Sequence, residues 1–160
     1  MKFDTRAFRQ ALGSFPTGVA VVTAGEGTHV GITVNSFTSV SLDPPLVLWC
    51  IDRTSDRFEA FVGAQAFTIS VLGVAHETVS VRLARQGAHQ LDGIALLPTE
   101  LGPPALGEAL AIFECVKESL HDGGDHAIVL GRVVRFSRHE AGAPLVFFRG
   151  RYGSLAGPGR

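Results

Sequence analysis

Residues 30–52, VGITVNSFTSVSLDPPLVLWCID, constrain the fold more than any other stretch, because they join two strand patterns through a polar turn that neither strand requires. Val30, Ile32 and Val34 alternate with Gly31, Thr33 and Asn35, the period of two expected of a half-buried strand. Ser36, Thr38, Ser39 and Ser41 then carry a row of hydroxyls past Phe37 and Val40. Asp43-Pro44-Pro45 stiffens the chain and relaunches it as the apolar run Leu46 to Ile51. The result is a polar shelf beside a core strand. On its own the shelf also fits a serine-rich loop whose hydroxyls satisfy its own backbone.

Short strand patterns recur along the chain. Val19 to Thr23 leads through Gly25-Glu26-Gly27 into the Val30 strand as a hairpin, and Phe67, Ile69 and Val71 alternate with Thr68 and Ser70. Ala111 to Lys117 pairs with Ala127 to Phe136 across the turn His121 to Asp125, where Gly123-Gly124 can supply positive φ, and Leu145 to Phe148 is the last strand. Three helices are short. Asp4 can cap and Gly13 can end an amphipathic lid carrying Phe3, Phe8, Ala11 and Leu12. Thr54 or Ser55 can cap a helix with Phe58, Phe61 and Val62 inward, and a third runs from Gly73 to about Leu83 with Val79 and Leu83 inward. Residues 86–106 read as a wandering loop with one short strand. Strand–helix alternation, a G-x-G-x-x-G turn and a Walker A loop are all missing, so the reading is a mainly β single domain over 1–160, an antiparallel barrel with short helices at its ends and a small flexible tail from about 156.

With 46% hydrophobic and 18% charged residues, the chain has more apolar surface to cover than a lone domain of 160 residues offers, and a homodimer is expected. A net charge of −1 without a basic run argues against nucleic acid and against an anionic membrane surface. No segment is long enough to span a bilayer, the first ten residues lack a signal-peptide core, and Cys50 and Cys115 read as small buried hydrophobes, so a cytoplasmic protein is expected. His29, His76, His89, His121, His126 and His139 are scattered without metal-ligand spacing, and no G-x-S-x-G elbow is present. Metal and hydrolytic chemistry are therefore not expected. The start of the Thr54–Ser55 helix, flanked by Arg53 and Arg57, reads either as an anion site or as a capped structural helix with surface arginines.

The shelf resembles the hallmark region of the flavin reductase-like family, which runs close to G-M-T-x-S-S-F-x-S-V-S-x-D-P-P-L-V-L. Ile32 stands where the family often has methionine and Asn35 where it often has serine. Further matches follow the family order at FPTGVAVVT (15–23), GDHAIVLGRV (124–133) and PLVFFRGRYG (144–153). The resemblance implies an FMN-binding split β-barrel, usually a homodimer, that carries a hydride from NADH or NADPH to FMN or FAD and hands reduced flavin to a flavin-dependent monooxygenase. It also implies the site. Thr33, Val34, Asn35, Ser36, Phe37 and Ser39 would face the flavin ring and ribityl chain, Cys50, Ile51 and Asp52 would wall it, and Thr54, Ser55, Arg57 and Arg82 would hold phosphate. Thr17, Gly124, Asp125, His126, Arg149 and Tyr152 would line the nicotinamide side, with His126 as the catalytic candidate. Two alternatives keep the fold: a non-catalytic FMN-binding electron carrier or sensor, and a reductase passing electrons from bound FMN to a ferric or corrinoid acceptor.

Overall fold

A computed structural model describes residues 3–155, and the expected tail from 156 lies outside the described residues. Its main sheet is antiparallel, with strand order β3-β2-β6-β9-β10-β5-β4. These strands are β2 (Ala20–Ala24), β3 (Val30–Val34), β4 (Thr38–Leu42), β5 (Pro45–Asp52), β6 (Ala66–Val71), β9 (Ala111–Gly123) and β10 (His126–Arg138). The two edge strands, β3 and β4, are consecutive in sequence but do not pair with each other. The barrel is therefore open, and the open seam falls at the shelf, Asn35 to Phe37.

Burial follows the sequence periodicity. Along β5, Val47, Trp49 and Ile51 are buried while Leu46, Leu48 and Cys50 are half-buried on the other face. Trp49 meets Phe61 and Phe67 edge-on at 5.3 and 5.8 Å, the arrangement that aromatic quadrupoles favour. β10 can lie over this cluster because residue 131 is glycine: a Cβ there would stand 2.4 Å from Cζ of Phe67. β2 is buried along its whole length because its two faces serve two cores. Ala20, Val22 and Ala24 join the Trp49 cluster, whereas Val19 and Val21 join Leu72, Leu83, Leu106 and Leu145. Beside the second core lies a small sheet of β1 (Thr17–Gly18), β11 (Val146–Phe148) and β12 (Arg151–Gly153), which sets Thr17 opposite Phe147 and Phe147 opposite Tyr152.

Several elements depart from expectation. Helix α1 (Thr5–Leu12) is capped by Asp4, whose Oδ1 accepts from the N–H groups of Arg6 and Ala7, but Phe3, Phe8 and Leu12 remain exposed, so it covers no core within one copy. Helix α2 (Phe58–Gly63) begins at Phe58, later than the Thr54–Ser55 cap expected from sequence. Asp52 captures both the N–H and the hydroxyl of Thr54, and Ser55 Oγ accepts from Arg57 N, so residues 52–57 form a turn of their own. Helix α3 (Glu77–Leu83) follows a short 3-10 turn. The loop after it holds two short strands, β7 (Leu96–Leu97) and β8 (Ala105–Leu106), where one was expected. Buried hydroxyls pin it: Thr23 and Thr68 donate to the carbonyls of Pro104 and Pro103, and Ser70 accepts from Leu106 N.

Candidate active site

The seam opens a crevice of about 160 Å³ between Val19 and Phe147 on its apolar side and Thr33, Asn35 and Tyr152 on its polar side. Thr33 Oγ1 donates to the Ser80 carbonyl at 2.8 Å, and Ser80 Oγ lies 2.7 Å from Tyr152 Oη. This chain of hydrogen bonds fixes the polar rim to α3. Next to it, Thr17 Oγ1 is buried without a partner, an uncompensated cost that a ligand atom could relieve. Ser36 Oγ accepts from Cys50 N at 2.9 Å, stitching the shelf to β5. Burial pushes the Cys50 thiol up, with the Ser36 hydrogen bond opposing, and pushes the Cys115 thiol up to about 12. Phe37 packs against Phe113 at 5.6 Å, and Ser39 is exposed on β4 opposite Val47.

A second group gathers where β5 ends. Antiparallel register sets His126 opposite Asp52 and Ile128 opposite Cys50, on one face of the sheet. Asp52 lies below the usual carboxylate range, chiefly because Thr54 N–H and then the Thr54 hydroxyl donate to it. Arg53 clasps the β9–β10 turn: its N–H donates to the Asp125 carbonyl (2.9 Å), Nε to the Gly124 carbonyl (3.0 Å) and Nη2 to Asp122 Oδ1 (2.6 Å). Asp125 Oδ1 lies 2.7 Å from His126 Nδ1, which orients the ring and, among the described residues, leaves Nε2 without a partner. Gly124 takes φ +76° in the two-residue turn.

Six of the expected flavin contacts sit differently from what the sequence suggests. Arg57 is 4% exposed, and its guanidinium donates to the carbonyls of Gly31, Leu83 and Arg85 while pairing with Asp56. It closes the C-terminal end of α3, whose carbonyls lack partners within the helix, and spends four of its five N–H groups inside the protein. Arg82 is likewise committed, to the carbonyls of Asp92 and Gln90. The side chains of Val34 and Ile51 belong to the core, so those residues can offer a ligand only their backbone. Thr54 and Ser55 sit in a turn ahead of a six-residue helix, which removes the helix-start argument for them. Arg149 and Tyr152 lie on the small sheet's side. Arg149 takes φ +48°, its N–H donates to the Gly13 carbonyl, and its guanidinium lies 5.0 Å from the Phe148 ring centroid.

Sequence reasoning missed Ser80 and Phe147, which carry no local signal, since their partners arrive from distant segments. Arg53 reads from the sequence as a flank of an anion site, whereas it clasps the β9–β10 turn. Among the described residues no group of three or more His, Cys, Asp or Glu could hold a metal ion, and no helix is long and apolar enough to cross a membrane.

The open antiparallel barrel with a polar crevice at its seam has the form of a split barrel. The model of the flavin reductase like domain matches residues 12–156, and the chain belongs to that family. It is 46% identical over 155 residues to the FMN reductase (NADH) SmoA of Agrobacterium fabrum, covering 96% of this chain and 87% of that protein. It is 39% identical over 150 residues to the reductase subunit HsaB of a flavin-dependent monooxygenase from Rhodococcus jostii, covering 93% and 77% of the two chains. The NADH:FAD oxidoreductase SgcE6 of Streptomyces globisporus, solved with NAD and FAD fragments, superposes with a TM-score of 0.91 at 37% identity, covering 98% of this chain and 97% of that one.

Proposed function

We propose that this chain is an NADH-dependent flavin reductase, which reduces FMN or FAD and supplies the reduced flavin to a separate monooxygenase. The reading is supported by the family match over nearly the whole chain and by relatives that carry this activity in their names. The observation that carries it in this molecule is the seam crevice, where an apolar wall of Val19 and Phe147 faces a polar rim of Thr33, Asn35 and Tyr152, a lining that suits a ring with a polar edge. When bound, the flavin supplies the capacity to accept a hydride.

The protein's task is then positioning, because hydride transfer needs two rings held at van der Waals distance more than it needs an acid or base. Thr33, Asn35, Ser39 and the backbone of Val34 hold and orient the polar edge and chain, Phe147 and Val19 exclude water from the ring, and Phe37 and Cys50 close the side toward β5. His126, oriented by Asp125, presents Nε2 as an acceptor for the carboxamide of the nicotinamide. Gly124 lets the turn approach closely, and Thr17 and Tyr152 close the opposite side. A second copy of the chain completes the molecule, covering exposed Phe3, Phe8, Phe15, Val134 and Phe136. The setting is the reducing cytoplasm, where NADH is available and Cys50 and Cys115 stay free.

The test is NADH oxidation by purified protein with and without added flavin. Turnover that depends on free FMN or FAD is expected. A yellow protein inert to NADH overturns the reading in favour of an electron carrier.

A further inference from the structure

One residue of α3 holds both polar groups that face each other across the seam crevice. The Ser80 carbonyl accepts from Ala84 N–H at the helix end (3.1 Å) and from Thr33 Oγ1 of β3 (2.8 Å), while the Ser80 hydroxyl lies 2.7 Å from Tyr152 Oη of β12. Thr33 therefore has its hydroxyl proton committed to Ser80 and shows a ligand only lone pairs. The Tyr152 contact is decided by counting protons. Ser80 and Tyr152 bring two hydroxyl protons to one hydrogen bond, and among the described residues neither oxygen has another partner. The hydroxyl that accepts keeps its own proton unbound. Were Tyr152 the donor, that spare proton would belong to Ser80, which is 0% exposed on the buried face of α3 with Leu83, where an unmade hydrogen bond carries the full desolvation penalty. With Ser80 as donor, the spare proton belongs to half-buried Tyr152, which lines the crevice. Only this direction leaves no donor shut in the interior. Both partners are also held from other sides: Phe147 meets the Tyr152 ring edge-on at 5.4 Å, and Arg57 ties the Leu83 and Arg85 carbonyls of the helix end to Gly31 of β3.

We propose that Ser80 is a positioning residue of the site: by donating to Tyr152 Oη it leaves the phenol proton for the ligand, so that the rim offers a donor at Tyr152 and an acceptor at Thr33. The ligand side of this inference rests on the reductase reading, whereas the direction of the Ser80–Tyr152 bond does not. The polar edge of a flavin ring, where an N–H stands between two carbonyl oxygens, supplies both complements.

Tyr152 is the only tyrosine of the chain, so its ring vibrations report on this bond alone. Ultraviolet resonance Raman spectra of the flavin-free protein should show the tyrosine doublet with the intensity ratio of a hydroxyl that accepts, and Ser80→Ala should lose that signature. A wild-type doublet of the purely donating kind overturns the proposal. Riboflavin, which lacks phosphate, then reads the ring contacts in a fluorescence titration. Ser80→Ala and Tyr152→Phe are each expected to weaken it about tenfold, and the double variant no further than either, because the two hydroxyls act as one unit. Additive losses, or unchanged binding in both single variants, overturn the positioning role. Should Ser80→Ala fail to fold, the wild-type spectrum and Tyr152→Phe, which removes only a half-buried hydroxyl, decide between the same outcomes. An accepting signature in a protein that binds no riboflavin sinks the reductase reading and leaves the direction of the Ser80–Tyr152 bond upheld.

Discussion

Two arginine-bearing turns of the molecule have opposite fates. The 52–57 turn looks from the sequence like an anion site, yet its Arg57 is buried and satisfied by three carbonyls and a carboxylate. The turn at 149–151 enters the sequence reading only through the family resemblance, which sets Arg149 on the nicotinamide side, and there Arg149 and Arg151 line a cleft without an acidic partner among the described residues. An arginine carries five donors, and what it does depends on the acceptors within reach. Around Arg57, strand β3 and the end of α3 bring acceptors that would otherwise be orphaned inside the protein. Around Arg149, backbone groups are already paired and the guanidinium is left facing solvent. One turn is scaffold and the other is surface chemistry.

That contrast can be tested by substitution. The largest effect is expected from Arg57→Met, which leaves the carbonyls of Leu83 and Arg85 unpaired beside Asp56 and should lower unfolding free energy by about 3–5 kcal/mol in urea titrations. A loss below about 1 kcal/mol would place Arg57 on the solvent side of the comparison. His126→Ala bears on the edge of the scaffold turn, where Arg53 and Asp125 hold a side chain for chemistry. It should slow flavin reduction in anaerobic stopped-flow about tenfold, roughly 1.4 kcal/mol, with little change in stability. Wild-type rates would make that turn scaffold throughout.

A smaller effect concerns Asp52. Its carboxyl lies below the usual range, so its hold on Thr54 is present above the unfolded value of roughly 4 and is lost as pH falls through the lower folded value. Because Asp52 is exposed, Asp52→Asn should cost less than about 1 kcal/mol. The Thr54 amide resonance should then titrate in acid in the wild type and stay flat in the variant. Smallest of all, Arg149→Ala should shift the unfolding free energy by no more than about 0.5 kcal/mol, the ordinary value for a surface residue. A shift of several kcal/mol would make Arg149 a second Arg57.

How much was legible follows from the range of each interaction. Strand periodicity, the Gly25-Glu26-Gly27 hairpin, the Asp4 cap and the 30–52 shelf are properties of neighbouring residues, so the sequence alone determined that this is a mainly β domain with a polar shelf, and the order of its motifs determined the family. The start of α2 was misread although it is local, because Asp52 competes with Ser55 for the backbone groups of one turn, and both outcomes satisfy the same rules. The exposure of Phe3, Phe8 and Leu12 could not be read at all, since an amphipathic pattern says that a face wants cover and not whether the same chain supplies it.

The tertiary structure alone decided which of the expected site residues remain available. Ser36 is drawn to Cys50 across 14 residues, Arg57 to Leu83 across 26, and Tyr152 to Ser80 across 72. Periodicity and turn chemistry act within a few residues, whereas a polar side chain is committed or left free by whichever segment the folded chain returns beside it. The sequence determined the types of group on the shelf and in the arginine turns, and only the closing of the open barrel decided which of them still face a ligand.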